Sequence, residues 1–257
     1  MSESRGLPEP LARALEGTPA RLLVGRTGPA YLTSVWLRLR ADHAAARDAV
    51  LETIDFEREL GPLVASTGIY EVATVATDRA SFIARPEEGR RLSDQARAAI
   101  SERTAREADL QIVVGDGLSS KAVATQVPRL LPLLAEAATR EGWSFGTPFF
   151  IRQCRVGVMN DIGGILRPKV LVLLIGERPG LATAESLSAY MAYQPRVGHT
   201  DADRNLISNI HPQGVSMEEA ACRVIRLAGR MMKLKHSGIA VKETSVEAVA
   251  HAEPARQ

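Results

Sequence analysis

Three short runs do most to limit what this chain can fold into: Leu110 to Val114, Thr147 to Ile151 and Val170 to Ile175 are apolar or β-branched almost throughout. A strand with apolar side chains on both faces must be covered on both faces. Helical stretches lie between these runs and after them, from Ser119 to Thr139 and from Met217 to Leu234. That alternation specifies an α/β fold with a parallel sheet between helical layers. The expected organisation is a Rossmann-like C-terminal domain over 106–257 and a smaller, mainly helical N-terminal domain over 1–105. Pro128 and Pro132 predict that the helix after Ser119 is kinked or broken into two pieces. Ser216 and Glu219 predict a capping box for the last long helix.

The N-terminal part gives weaker signals. Residues 1–20 are polar and punctuated by Pro and Gly, and read as an arm with one short amphipathic piece from Leu11 to Leu15. From Thr33, an expected N-cap, Trp36, Leu39, His43, Ala46, Val50 and Ile54 recur at helical spacing, which places His43 on a packed face as a hydrogen-bonded core histidine. Tyr70 to Thr77 and Ser81 to Ala84 read as short β-prone stretches around a Thr-Asp-Arg turn, followed by a helix from about Ser93 to Ala108. From Glu243 to Gln257 apolar periodicity stops, which predicts a mobile tail.

Composition narrows the function classes. Of 257 residues, 45% are hydrophobic and 24% charged, the balance of an ordinary globular protein. The longest apolar run, Val170 to Gly176, is far short of the ~20 residues of a membrane-spanning helix. The start MSESRGLPEP has no signal or transit pattern, so a cytoplasmic setting is expected. Net charge is +2, with basic residues dispersed, so no nucleic-acid partner is expected. Cys154 and Cys222 have no metal-ligand spacing and read as reduced thiols.

Ligands of open parallel sheets bind beyond the carboxyl ends of the strands, which directs attention to three segments. In Val113-Val114-Gly115-Asp116-Gly117-Leu118-Ser119-Ser120 a Gly-Asp-Gly turn meets a helix start, either as an ordinary tight turn or facing a ligand. Ser120 occupies the place of a dinucleotide fingerprint's third glycine, so that motif fails. In Ile175-Gly176-Glu177-Arg178-Pro179-Gly180 a buried strand delivers a carboxylate that either accepts hydrogen bonds from ligand amides or pairs locally with Arg178. Between 201 and 211, Asp201 and Asp203 suggest a metal weakly and a solvated turn more plainly. No GxSxG, HExxH or P-loop sequence occurs, and no Ser/His/Asp set stands out.

These same segments resemble the small (light) subunit of ethanolamine ammonia-lyase. The likeness runs from about Ala20 to Gly238 through VGRTGPAY at 24–31, LRLRADHAAARDAV at 37–50, ARPEEGRRLS at 84–93, VVGDGLS at 113–119, GTPFFIR at 146–152, LLIGERPGL at 173–181 and DRNLISNIHPQG at 203–214.

The resemblance implies a subunit of a lyase that converts ethanolamine to acetaldehyde and ammonia by radical chemistry, inactive alone. It implies adenosylcobalamin, a cobalt corrinoid, at the interface with a large subunit, and further copies of the heterodimer in a larger oligomer. Val156, Glu177 and Leu206 are the cofactor-contacting positions it implies. Leu206 stands where the family can have cysteine, so packing replaces any thiol contribution. None of the five histidines sits in an Asp-x-His-x-x-Gly pattern, and the implied cofactor mode is base-on, without a protein metal ligand. A bacterial microcompartment is a further implied location. The alternative readings are a Rossmann-type non-enzymatic cobalamin- or nucleotide-binding module and a purely structural assembly subunit.

Overall fold

The structure, a computed structural model, describes residues 8–16, 26–180 and 183–243. In chain order the elements are α1 (Glu9–Glu16), β1 (Arg26–Thr27), β2 (Ala30–Tyr31), α2 (Thr33–Leu51), α3 (Phe56–Glu59), α4 (Gly61–Thr67), β3 (Tyr70–Ala73), α5 (Arg79–Ala84), α6 (Asp94–Arg103), β4 (Leu110–Gly115), α7 (Ser120–Arg140), β5 (Phe145–Arg152), α8 (Val158–Leu166), β6 (Val170–Gly176), β7 (Leu187–Tyr193), β8 (Asn205–Ile210) and α9 (Met217–Leu234). One six-stranded sheet runs in the order β3-β5-β4-β6-β7-β8. The first four strands are mutually parallel, and β7 and β8 continue the sheet antiparallel. The fold is thus mixed α/β around a mostly parallel sheet, and β3 joins it from the segment before residue 106.

The three apolar runs form its centre for the reason the sequence indicates. Every residue of β4 and β6 is buried. Their side chains alternate between two cores: Ile112, Val114, Val172 and Leu174 pack under α7 and α9, while Val113, Leu171 and Leu173 pack with Ile100 of α6 and Ile162 of α8. Each such side chain stabilises the fold by roughly 1.5–3 kcal/mol relative to exposure.

Several local expectations change. Helix α7 runs unbroken through Pro128 and Pro132, so the two-piece reading is overturned. Pro132 is exposed, where water can serve a freed carbonyl, and the opposite face is anchored by Val123, Val127, Leu130 and Leu134, each fully buried. Ser81 to Ala84 is helix, not strand: Asp78 of the supposed turn is an N-cap accepting from the Ser81 N–H at 2.7 Å. Helix α6 starts behind its Ser93 cap but ends at Arg103, before Ala108. Thr33 is the first residue of α2, whose N-cap is Leu32. Trp36 and His43 are exposed, so the core-histidine reading is overturned; Leu39, Ala46 and Val50 of the expected stripe are half-buried and Ile54 is buried, and the inward face is rotated from that stripe toward Val35 and Ala49. Ser216 caps α9 at the Glu219 N–H, while the Glu219 carboxylate lies 3.7 Å from Arg223. The amphipathic piece near Leu11 is α1; the tail beyond Glu243 lies outside the described residues.

Two irregularities shape the sheet. Between Gln111 and Val113 the β4–β5 register slips by one residue at Pro148, which has no N–H to give. Gln111 Nε2 donates there to the carbonyls of Ile112 (2.9 Å) and Thr147 (3.0 Å), replacing the missing donor. A second slip, between β7 and β8, leaves Asn209 in the left-handed region at φ 61°.

Candidate functional site

A cavity of about 340 Å³ opens at the carboxyl ends of β4, β5 and β6, where a sheet of this kind is expected to bind. Its floor depends on a close approach of two backbones. A Cβ on Gly117 (φ +56°) would lie 2.2 Å from the Gly176 carbonyl oxygen, and one on Gly176 would lie 2.0 Å from that of Ser119. Glycine at both places lets the Leu118 N–H reach the Gly176 oxygen at 3.1 Å and seals the two strand ends together. Gly117, the last residue of the Gly-Asp-Gly turn, and Gly176 therefore both line the cavity floor.

Beneath it lies a buried pair. Asp116, 2% exposed, accepts from the N–H groups of Gln153 and Cys154, both at 2.9 Å, and faces Arg79 Nη1 at 3.4 Å. Arg79 also donates to the carbonyls of Val50 (2.7 Å) and Gly117 (2.9 Å). Burial pushes the Asp116 carboxyl up from its ordinary value, opposed by the two N–H donors and the Arg79 charge. Four segments are joined there: the end of α2, the start of α5 and the loops after β4 and β5. Cys154, buried against Gly115, has its thiol pushed well up by burial and by Asp116, which makes it a packing group. Cys222 is an exposed free thiol.

Val156, Glu177 and Leu206, expected separately from three distant segments, all line this one cavity. Val156 is half-buried beside the β5 end. Leu206, opposite Tyr190 on the edge strand β8, is 45% exposed. Glu177 stands at the end of β6 and ties three strands together. Its Oε2 accepts from Ser186 Oγ (2.7 Å), and its Oε1 from Ser188 Oγ (2.7 Å) and the Asn209 N–H (2.9 Å). The last donor is the backbone group freed by the β8 bulge. Of the two readings offered for Glu177, the bonds it makes are to serines and backbone, not to Arg178.

The serines, Tyr190 and the whole of β7 are absent from the sequence expectations, although Leu187, Ala189 and Met191 alternate with Ser188 and Tyr190 as a strand should. Asp201 and Asp203 flank a short 3-10 turn: Asp203 closes a capping box with Thr200, and Asp201 pairs with Arg204 at 2.5 Å. Among the described residues no group of three or more His, Cys, Asp or Glu side chains is arranged to hold a metal, and no helix is long and apolar enough to cross a membrane.

The sequence model of the ethanolamine ammonia-lyase light chain (EutC) matches residues 8–242. The chain belongs to that family. It is 41% identical over 225 residues to an ethanolamine ammonia-lyase small subunit of Clostridium perfringens, covering 88% of this chain and 75% of the relative. A small subunit of the same enzyme from Clostridium acetobutylicum is 38% identical over 225 residues, covering 88% and 91%. Family membership makes the chain a lyase subunit.

Proposed function

We propose that this chain forms one wall of an adenosylcobalamin site at an interface with the large subunit of ethanolamine ammonia-lyase, in a complex that converts ethanolamine to acetaldehyde and ammonia. The observation that carries the reading is the convergence of Val156, Glu177 and Leu206 on one cavity beyond the strand ends. The lining suits a corrinoid's edge. Val156, Ile175 and Leu206 offer apolar surface to the ring, and Glu177 keeps acceptor capacity for a peripheral carboxamide N–H. At about 340 Å³ the cavity is at the small end of what even drug-sized ligands fill, so it covers only an edge of so large a molecule and a second chain must cover the rest.

When bound, the cofactor supplies the radical that starts the reaction. The role of this chain is to bind, orient and exclude water. The apolar side chains dry one face of the site, Glu177 fixes the orientation of the amide it meets, and the Gly117–Gly176 contact keeps the floor rigid. Exposed Tyr31, Leu32, Trp36 and Leu37 at the start of α2 add an apolar surface suited to an assembled state in which heterodimers associate further. The mainly helical 1–105 region and a Rossmann-like 106–257 region remain our proposed division, and a cytoplasmic or microcompartment location our proposed setting.

The test is acetaldehyde formation from ethanolamine and adenosylcobalamin with the large subunit of the same genome, with and without this chain. Activity that requires both chains supports the proposal. A verified complex that binds cobalamin without turnover favours the carrier reading, and one that binds none favours a structural subunit.

A further inference from the structure

A second cavity, of about 620 Å³, opens beside the first and shares Arg155 and Val156 with it. Its wall carries Arg90, Arg155, Arg204 and His199. The two carboxylates in the same wall are already engaged: Asp161 by Arg97 and the Leu92 N–H, and Asp201 by Arg204. Positive charge is crowded at Arg155, whose guanidinium is held below its ordinary value by burial first and then by Arg79, Arg178 and Arg90.

Three buried nitrogens in this wall have no partner: Arg155 Nε, Arg204 Nε and His199 Nδ1. Arg204 is the most telling. Its side chain is only 5% exposed; Nη1 meets Asp201 and Nη2 meets Asn160 Oδ1 at 2.9 Å, yet Nε has no acceptor. Buried donors are rarely left so, and a guanidinium that is strongly desolvated needs an acceptor. Three arginines from separate segments, Arg90, Arg155 and Arg204, line this cavity, and several guanidinium groups at one site suit an oxyanion with several acceptor oxygens.

We propose that this second cavity is a phosphate-group site built by Arg90, Arg155, Arg204 and His199. The phosphate is either a free ion or the phosphodiester in the nucleotide tail of a corrinoid seated in the adjoining cavity. Only the second source rests on the cobalamin reading; the site itself does not.

The test is calorimetric titration of inorganic phosphate into the full chain, and into its complex with the large subunit, at fixed ionic strength. Saturable 1:1 binding is expected, weakened roughly tenfold or more by loss of one charge-assisted contact in Arg90→Gln or Arg204→Gln, and unchanged by Arg129→Gln on the distant surface of α7. Arg90 is exposed, so its variant keeps the test valid if Arg204→Gln fails to fold. Absence of saturable binding, or equal binding in all variants, overturns the proposal. Competition then assigns the source. Phosphate that weakens binding of cobalamin but not of cobinamide, which lacks the nucleotide, supports the site as the seat of the cofactor's phosphodiester. Phosphate that binds as well with cobalamin present supports a free-phosphate site.

Discussion

Replacing Glu177 by Gln separates two roles of one carboxylate. An ionised carboxyl has about four lone-pair sites, and three are occupied by Ser186, Ser188 and the Asn209 N–H, so one remains for a ligand. In Glu177→Gln the remaining oxygen can still serve Ser188 and Asn209, and the new NH₂ can donate to Ser186 once its hydroxyl rotates to accept. The tie between β6, β7 and β8 survives with neutral bonds in place of charge-assisted ones, at a cost of about 1–2 kcal/mol in folding stability. The spare acceptor on Oε2 is gone. Loss of one charge-assisted bond to a cofactor amide costs about 1.5–3 kcal/mol, which is roughly a tenfold to 150-fold weaker Kd. The assay is a spectrophotometric cobalamin titration of the complex, paired with urea denaturation of each variant. Glu177→Ala, which strips all three donors of their acceptor, should lose about 3 kcal/mol or more of stability and serves as the contrast. A folded Glu177→Gln complex that binds cobalamin within twofold of the parent would show that the carboxylate only ties strands, and would refute the reasoning.

Three further perturbations probe what lies around the cavity. Arg79→Met leaves Asp116 buried and uncompensated and should cost about 3–5 kcal/mol in urea denaturation; Arg79→Met with Asp116→Asn together should recover part of that loss. Gly117→Ala forces a side chain into both a left-handed backbone and the Gly176 carbonyl, so at least about 2 kcal/mol of stability should disappear; a neutral result would mean that the two strand ends are not in contact. Asp109 is held below its ordinary value by Lys169 (2.6 Å) and then by the Ser144 N–H (2.8 Å). Its contribution is therefore complete above the unfolded carboxyl value of about 3.9 and is lost as pH falls through the lower folded value. The urea-midpoint gap between the parent and Asp109→Asn should be widest near neutrality and shrink on acidification, whereas a gap constant from pH 7 to 3 would contradict the assignment.

The sequence shows β4, β5 and β6 because burial on both faces leaves continuous apolar runs. It hides β8, an edge strand whose Asn205, Ser208 and Asn209 look like loop residues and whose bulge breaks the period of two. Ser81 to Ala84 is misread because four residues carry too few turns to distinguish the two periods, and Asp78 as an N-cap is the stronger signal. Val156, Glu177 and Leu206 are found through family likeness; that they meet is a property of the sheet order, which brings β6 next to β7 and β7 next to β8. The Arg79–Asp116 pair spans 37 residues and the Glu177–Asn209 bond 32, and neither has a local pattern by which to be found. The backbone contact of Gly117 with Gly176 is equally silent in spacing alone.

Among the described residues, the carboxylates near the two cavities are already engaged, which bears on acid/base chemistry there. A general base needs a carboxylate or imidazole within hydrogen-bond reach of a substrate proton. Glu177 is committed to three donors, Asp116 is sealed beneath the floor by two N–H groups and Arg79, Asp161 is taken by Arg97 and the Leu92 N–H, and Asp201 is paired with Arg204. Arginines, by contrast, are left with donors to spare, at Arg155 and Arg204. A wall with its carboxylates engaged and its guanidinium donors unspent suits binding oxygen-rich groups and holding them still better than acid/base work, although it also carries the imidazole of His199, whose Nδ1 has no partner. Under the proposed function, in which a cofactor performs the difficult chemistry and a second chain holds the substrate, the part left to this chain would be a dry edge, one spare acceptor and a positive field.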